Sequence, residues 1–431
     1  MDYLEIIILV LSFVVLLGLG VPIAWTLGIS GIVTLLLNVE SISAFTTIAQ
    51  QMATGLNSFT LLAIPFFILA GEVMNRGGIA KRLIDFAKTL VGSLPGGLAY
   101  VNIFAAMMFG AIAGSAVAAA SAIGSILGPR MEEEGYTKEF SAAVNITSST
   151  TGLIIPPSNI LIIYSLASGG VSIAALFVAG YIPGILTGLL LMGVAAFWAK
   201  RKNFAVGERS NLSEVFSTFI KAFPSLLLLI IVIGGIIAGI FTATEAAAIA
   251  VVYTLILGFV YREVTVKNLP DILMSSVNTT AIVMLLIATS ISMSWVMSFE
   301  NIPQDISAAL LAMSDSKIVI LLMINFILLF VGTFMDMTPA VLIFTPIFLP
   351  IVTELGIDPL HFGIMMVLNL SIGLCTPPVG TILFVGVGVA GTTIEKVIKP
   401  LLPLFLAMII ALLLITFFPQ LTLWLPEVFG L

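Results

Sequence analysis

Two stretches of this sequence combine oxygen-bearing side chains with residues that break helices. The first runs Asn145-Ile-Thr-Ser-Ser-Thr-Thr-Gly152-Leu-Ile-Ile-Pro-Pro157-Ser-Asn159, and the second Asn369-Leu-Ser371-Ile-Gly373-Leu-Cys-Thr376-Pro-Pro378-Val-Gly380-Thr381. Proline removes a backbone donor and blocks the helix, so each stretch should unwind near its Gly-x-x-x-Pro-Pro. Both lie in apolar sequence, where non-helical backbone is tolerated only inside protein or beside water. Freed carbonyls are hard oxygen ligands suited to Na+, and exposed helix N-termini attract carboxylates. The bland alternative is two proline kinks in structural helices. The matched placement of the two breaks favours a binding role.

Asp336 is the most exposed single candidate, because an acid between apolar segments is costly and usually functional. It could equally cap the segment that follows, which opens Met337-Thr338-Pro339. Ser115 sits near the equivalent place in the first half. Other groups take structural roles. Thr242-x-x-Glu245 reads as a capping box, Glu72 as an interfacial residue, His361 as a loop or cap residue, and Cys375 as a space-filler. Glu132-Glu133-Glu134 reads as a solvated turn.

These residues need elements to hold them, and composition says what kind. Of 431 residues, 60% are hydrophobic and 9% charged, against roughly a quarter charged in soluble domains. Apolar runs at 4–20, 222–240 and 401–418 match the roughly 20 residues that a span requires. The fold class is therefore all-α integral membrane. One cysteine excludes an internal disulfide and one histidine excludes a multi-histidine metal site. With them go a zinc protease and, lacking paired intramembrane aspartates, an aspartyl protease. The N-terminus has no basic region or cleavage site and reads as a retained helix.

The chain repeats weakly at a spacing of 221 residues: Pro129 with Pro350, Gly135 with Gly356, Gly152-Leu153 with Gly373-Leu374, Pro156-Pro157 with Pro377-Pro378. Each half predicts two spans (4–20 and 22–38; 222–240 and 243–261), a third (59–75; 279–298) and an interfacial amphipathic segment (78–92; 301–314). Two short arms around a small or polar centre follow (96–112 and 117–130; 317–333 and 338–353), and these read as re-entrant hairpins. A broken segment (139–166; 359–387) and a final span (172–199; 397–418) close each half. With both hairpins re-entrant, fifteen of sixteen basic residues fall on one side, Lys317 being the exception. That is the distribution the positive-inside rule demands. It places residues 1 and 221 on opposite sides, so the halves form an inverted repeat, with both termini periplasmic.

Gly332-Thr-Phe-Met-Asp336-Met-Thr-Pro-Ala-Val-Leu-Ile-Phe-Thr-Pro-Ile-Phe-Leu-Pro350 and Gly373-Leu-Cys-Thr-Pro-Pro-Val-Gly-Thr381 resemble the second hairpin and second break of the large (M) subunit of TRAP, tripartite ATP-independent periplasmic, transporters. Gly110-Ala-Ile-Ala-Gly-Ser115 and Gly152-Leu-Ile-Ile-Pro-Pro-Ser-Asn159 resemble the first-half counterparts. The likeness covers the whole chain. It implies an elevator in the bacterial inner membrane that imports an organic acid anion, driven by Na+ and needing no other cofactor. Residues 96–170 and 317–390 would form the transport domain, 1–95 and 171–316 the scaffold and connecting helices, and 391–431 a C-terminal span and tail. One Na+ site would use Ser115 with Gly152, Ile155 and Pro157, and the other Asp336 with Gly373, Thr376 and Pro378. The anion would lie between the hairpin tips, near Ser115, Ser149, Asn159, Asp336 and Thr381. Expected partners are a separate four-helix small subunit (Q), a periplasmic binding protein (P), the lipid bilayer and no nucleic acid. The wording around Asp336 and Cys375 is closer to sugar-acid members, sialic acid included, than to C4-dicarboxylate ones. The alternative is a self-sufficient sodium/dicarboxylate symporter of the divalent-anion type, whose Ser-Asn-Thr signatures do not occur as such here. A channel suits opposed hairpins less well than alternating access does.

Overall fold

Apolar runs punctuated by Gly, Pro and capping residues give a chain of helices. The computed structural model describes residues 4–431 except 77, 203–206, 208–209, 315, 378 and the side chain of 311. The first half comprises α1 (Leu4–Gly18), α2 (Ile23–Leu35), α3 (Ser41–Leu56), α4 (Ala63–Arg76), α5 (Ile79–Val91), α6 (Gly97–Ala113), α7 (Ala116–Glu133), α8 (Lys138–Ser149), α9 (Asn159–Ala167) and α10 (Ile173–Lys202). The second comprises α11 (Leu212–Ile237), α12 (Ala243–Val260), α13 (Leu269–Phe299), α14 (Ile302–Met313), α15 (Lys317–Gly332), α16 (Met337–Glu354), α17 (Pro359–Gly373), α18 (Thr381–Ala390), α19 (Ile394–Phe417) and α20 (Gln420–Phe429). Short 3-10 turns precede α4 (Phe59–Leu62) and follow α8 (Thr150–Leu153). Among the described residues seven helices are long and apolar enough to cross a membrane, and the chain is a multi-pass membrane protein.

The predicted breaks and arms appear within a few residues of their expected places. α8 gives way to its 3-10 turn at Thr150, and helix resumes only at Asn159. α17 stops at Gly373, and α18 starts at Thr381. Three elements differ from expectation. Helix α3 was not foreseen, because its sequence mixes Ser, Thr and Gln with apolar residues. Helix α13 is continuous over 31 residues, where α3 and α4 are separated at Asn57-Ser58. The tail folds as α20. The Glu245 reading holds: Thr242 Oγ1 accepts from the Glu245 N–H at 3.3 Å, and the Glu245 carboxylate accepts from the Thr242 N–H at 2.8 Å.

Equivalent helices find equivalent partners. α12 packs on α4 as α2 packs on α13, α7 on α18 as α16 on α9, and α8 on α19 as α17 on α10. At the centre, α8 from Phe140 onward and α17 from His361 onward are entirely buried. Helices hidden all round need small or well-satisfied polar residues. Here Thr147 and Ser149 return their hydroxyls to carbonyls of their own helix, and the Ser148 hydroxyl lies within reach of both the Asn145 carbonyl and Asn102 Oδ1, the second being the nearer. Asn369 Nδ2 donates to Asn325 Oδ1 at 2.7 Å across to α15.

Candidate functional site

Each helical hairpin turns at a residue that starts its second arm. Helix α6 ends at Gly114, whose φ of +60° is the left-handed conformation that glycine adopts without strain. Ser115 then caps α7, its Oγ accepting from the Ala118 N–H at 3.3 Å. In the second hairpin Asp336 holds the N-cap position of α16. Ser115 and Asp336 are 221 residues apart, the repeat spacing, so the carboxylate stands where its counterpart has a hydroxyl.

Glycine pairs bind each first arm to its break. A Cβ on Gly110 would lie 2.5 Å from the Gly152 Cα, and a Cβ on Gly373 would lie 2.6 Å from the Gly332 Cα. Nothing larger than hydrogen fits between these backbones. In the first break the carbonyls of Gly152, Ile155 and Pro157 accept no hydrogen bond among the described residues, and Pro157 O faces Gly114. In the second, Gly373 O accepts from Thr376 N at 2.9 Å and Thr376 O from Gly380 N at 3.2 Å, so each retains one lone pair. Pro378 lies outside the described residues.

Between the tips lies a cavity of about 280 Å³. Ser115 and Asp336 line it, with Asn159 from the start of α9 and Thr381 from the start of α18. These four predicted substrate residues, drawn from both halves, thus meet at one place. Ser149 does not reach it; it is fully buried and its hydroxyl bonds the Asn145 carbonyl. The opposite wall carries Glu72 and Asn75 of α4 and Thr279 of α13. Sequence reasoning put Glu72 at the interface, but α4 packs on α12 and α13 so that this carboxylate enters the cavity instead. The helical spacing of Glu72 and Asn75 was the available signal. No Lys, Arg or His lines the cavity among the described residues, so two carboxylates dominate its field.

His361, expected in a loop or cap, is buried within α17, its Nδ1 at 2.8 Å from Thr422 Oγ1 of α20. The unforeseen helix α20 covers it. Cys375 is a space-filler, fully buried against the Ile146 carbonyl.

Interrupted helices meeting two hairpin tips around a cavity whose mostly apolar lining carries a few polar groups, in a multi-pass bundle, are the architecture of a membrane transporter subunit. The chain belongs to the family described as tripartite ATP-independent periplasmic transporter, DctM component, which it matches over residues 10–421. It is 57% identical to the protein YgiK of Salmonella typhimurium, over 99% of this chain and 98% of that one. It is 43% identical to an isethionate TRAP transporter permease protein, DctMQ, of Oleidesulfovibrio alaskensis, over 94% of this chain and 64% of that longer one. Identity to the sialic acid TRAP transporter large permease protein SiaM of Vibrio cholerae is 40%, over 96% of each chain. In fold it resembles the YdaH transporter of Alcanivorax borkumensis, with a TM-score of 0.65 at 14% identity over 91% of this chain and 90% of that one.

Proposed function

We propose that this chain is the membrane-translocating subunit of a Na+-driven, binding-protein-dependent importer of an organic acid anion, working as an elevator in the inner membrane. The meeting of Ser115, Asn159, Asp336 and Thr381 at one cavity carries this proposal. The two hairpins are re-entrant, and the halves are related as an inverted repeat. Residues 96–170 and 317–390 move with the bound anion against a scaffold that includes α4 and α13, which form the opposite wall. The matched packing of the halves supports this division.

Na+ binds at each break. Ser115 with the Gly152, Ile155 and Pro157 carbonyls forms one site, and Asp336 with Gly373, Thr376 and Pro378 the other. Coupling follows from charge. An anion entering a cavity that holds Glu72 and Asp336 is repelled until cations offset them, so Na+ and anion bind together. The termini face the periplasm. In support, Asn38 Nδ2 joins Glu5 and Glu300 at 3.4 and 3.0 Å, while Arg82, Lys88, Arg130 and Lys221 together line a cavity elsewhere.

The substrate is a sugar acid, sialic acid included, in preference to a C4-dicarboxylate, since a second carboxylate would face two like charges. Proteoliposomes containing this chain and its small subunit should take up labelled sialic acid only with an inward Na+ gradient and the periplasmic binding protein. Isethionate and succinate serve as comparison substrates. Uptake without the binding protein would point to a self-sufficient symporter.

A further inference from the structure

Helix α8 carries a file of polar residues that the anion cavity does not use. Ser141, Asn145 and Ser148 follow at helical spacing and continue to Gly152 at the first break. From Ser141 to Gly152 the rise is about 16 Å. All three side chains are more than nine-tenths buried, as is Asn102 of α6 beside them. Asn145 Nδ2 donates to the Ala120 carbonyl at 2.7 Å, yet Asn145 Oδ1 and Ser141 Oγ have no partner. Buried polar atoms left unpaired are rare.

Ser141 and Asn145 line a small cavity of about 10 Å³, close to the volume that one water-sized particle needs. Glu132 and Lys138 line the same cavity and pair with each other at 3.5 Å, both partly exposed, so the file reaches the surface between α7 and α8. At its inner end Ser148 Oγ donates to Asn102 Oδ1 at 3.0 Å and closes it above the break. At the 221-residue spacing Ser141 becomes Phe362, Asn145 becomes Met366 and Asn102 becomes Met323, while Ser148 becomes Asn369, which bonds Asn325 of α15. The second half thus keeps a buried polar pair near its break but has apolar residues where the first half's file runs out to the surface.

We propose that this file is a one-sided passage for a monovalent cation stripped of its water, between the inner surface and the first break, with the Asn102–Ser148 hydrogen bond as its gate. Amide and hydroxyl oxygens are hard ligands, and the interior of the file holds no carboxylate, which suits a monovalent ion better than a divalent one. The proposal rests on the first break being a cation site. It adds that the route is polar on the cytoplasmic side only, which would make cation release from the first half directional.

The test places single cysteines in a Cys375→Ser parent that keeps its uptake: Ser141→Cys in the file, Val144→Cys on the same helix but in apolar packing, and Phe362→Cys at the matched position. Inside-out vesicles carrying the chain with its small subunit are exposed to Ag+, a thiol-reactive ion of Na+-like size. Residual thiols are then counted after denaturation. S141C should react about tenfold or more faster than V144C and F362C, which become reachable only by local opening. Na+, but not N-methylglucamine, should slow it. If S141C reacts as slowly as V144C while uptake by the parent stays Na+-dependent, the passage is wrong and the cation site stands. Fast reaction without Na+ protection means a water crevice and also overturns the passage. If the parent shows no Na+ dependence, the cation site fails and the passage fails with it.

Discussion

Gly110 and Gly152 meet backbone to backbone, so that the first hairpin and the first break form one rigid unit at the level of the proposed cation site. Gly332 and Gly373 repeat the contact in the second half. Gly152→Ala and Gly373→Ala must each force these backbones apart, at about 1–3 kcal/mol for overpacking. We expect each to insert in the membrane yet lose most uptake and melt earlier in detergent. Gly193→Ala, where a Cβ meets nothing within 4 Å, should leave both unchanged. Equal effects at all three positions would show that the contacts carry no special role.

The capping box that starts α12 makes a second prediction. Thr242→Ala and Glu245→Ala each remove half of a reciprocal pair, and both should lower the thermal midpoint. Because the pair acts as a unit, the double variant should be little worse than either single one. Additive losses, read by thermal unfolding in detergent, would contradict this.

Glu300 gives a pH dependence. Burial pushes its carboxyl above the usual carboxylate range; the hydrogen bond from Asn38 pulls it down, and the nearby Glu5 pushes it up again. A carboxyl whose folded-state pKa is raised contributes stability that is fully present below its unfolded value. That contribution is lost as pH rises through the folded value. Glu300→Gln should therefore stabilise the protein near neutral pH and flatten the fall in stability above the carboxylate range. A variant that melts earlier than wild type at neutral pH, with the slope unchanged, would show that the charged form is the one the fold prefers.

Hairpins and breaks were legible because Gly and Pro fix backbone geometry locally. The arms 96–112 and 338–353 became Gly97–Ala113 and Met337–Glu354. Helix α3 was not, since apolar length was the signal and its Thr46, Thr47, Gln50 and Gln51 interrupt it. The repeat and the family resemblance pointed to Ser115, Asn159, Asp336 and Thr381, which line one cavity, whereas Ser149 does not reach it and the opposite wall was not foreseen. Glu72 and Thr279 are 207 residues apart, and only the packing of α4 on α13 brings them to one cavity. His361 was misplaced for the same reason, because its partner Thr422 lies in a helix 61 residues away.

The most direct measurement is the Na+ concentration giving half-maximal uptake by wild type, Ser115→Ala, Ser115→Thr and Asp336→Asn in proteoliposomes with the small subunit and binding protein. Wild-type uptake should rise sigmoidally with Na+. Ser115→Ala and Asp336→Asn should each need about tenfold more Na+, equivalent to about 1.4 kcal/mol of lost cation affinity, while Ser115→Thr keeps the hydroxyl and stays near wild type. Uptake indifferent to Na+, or half-saturation unmoved in both variants, would contradict a cation-coupled site at the two hairpin tips.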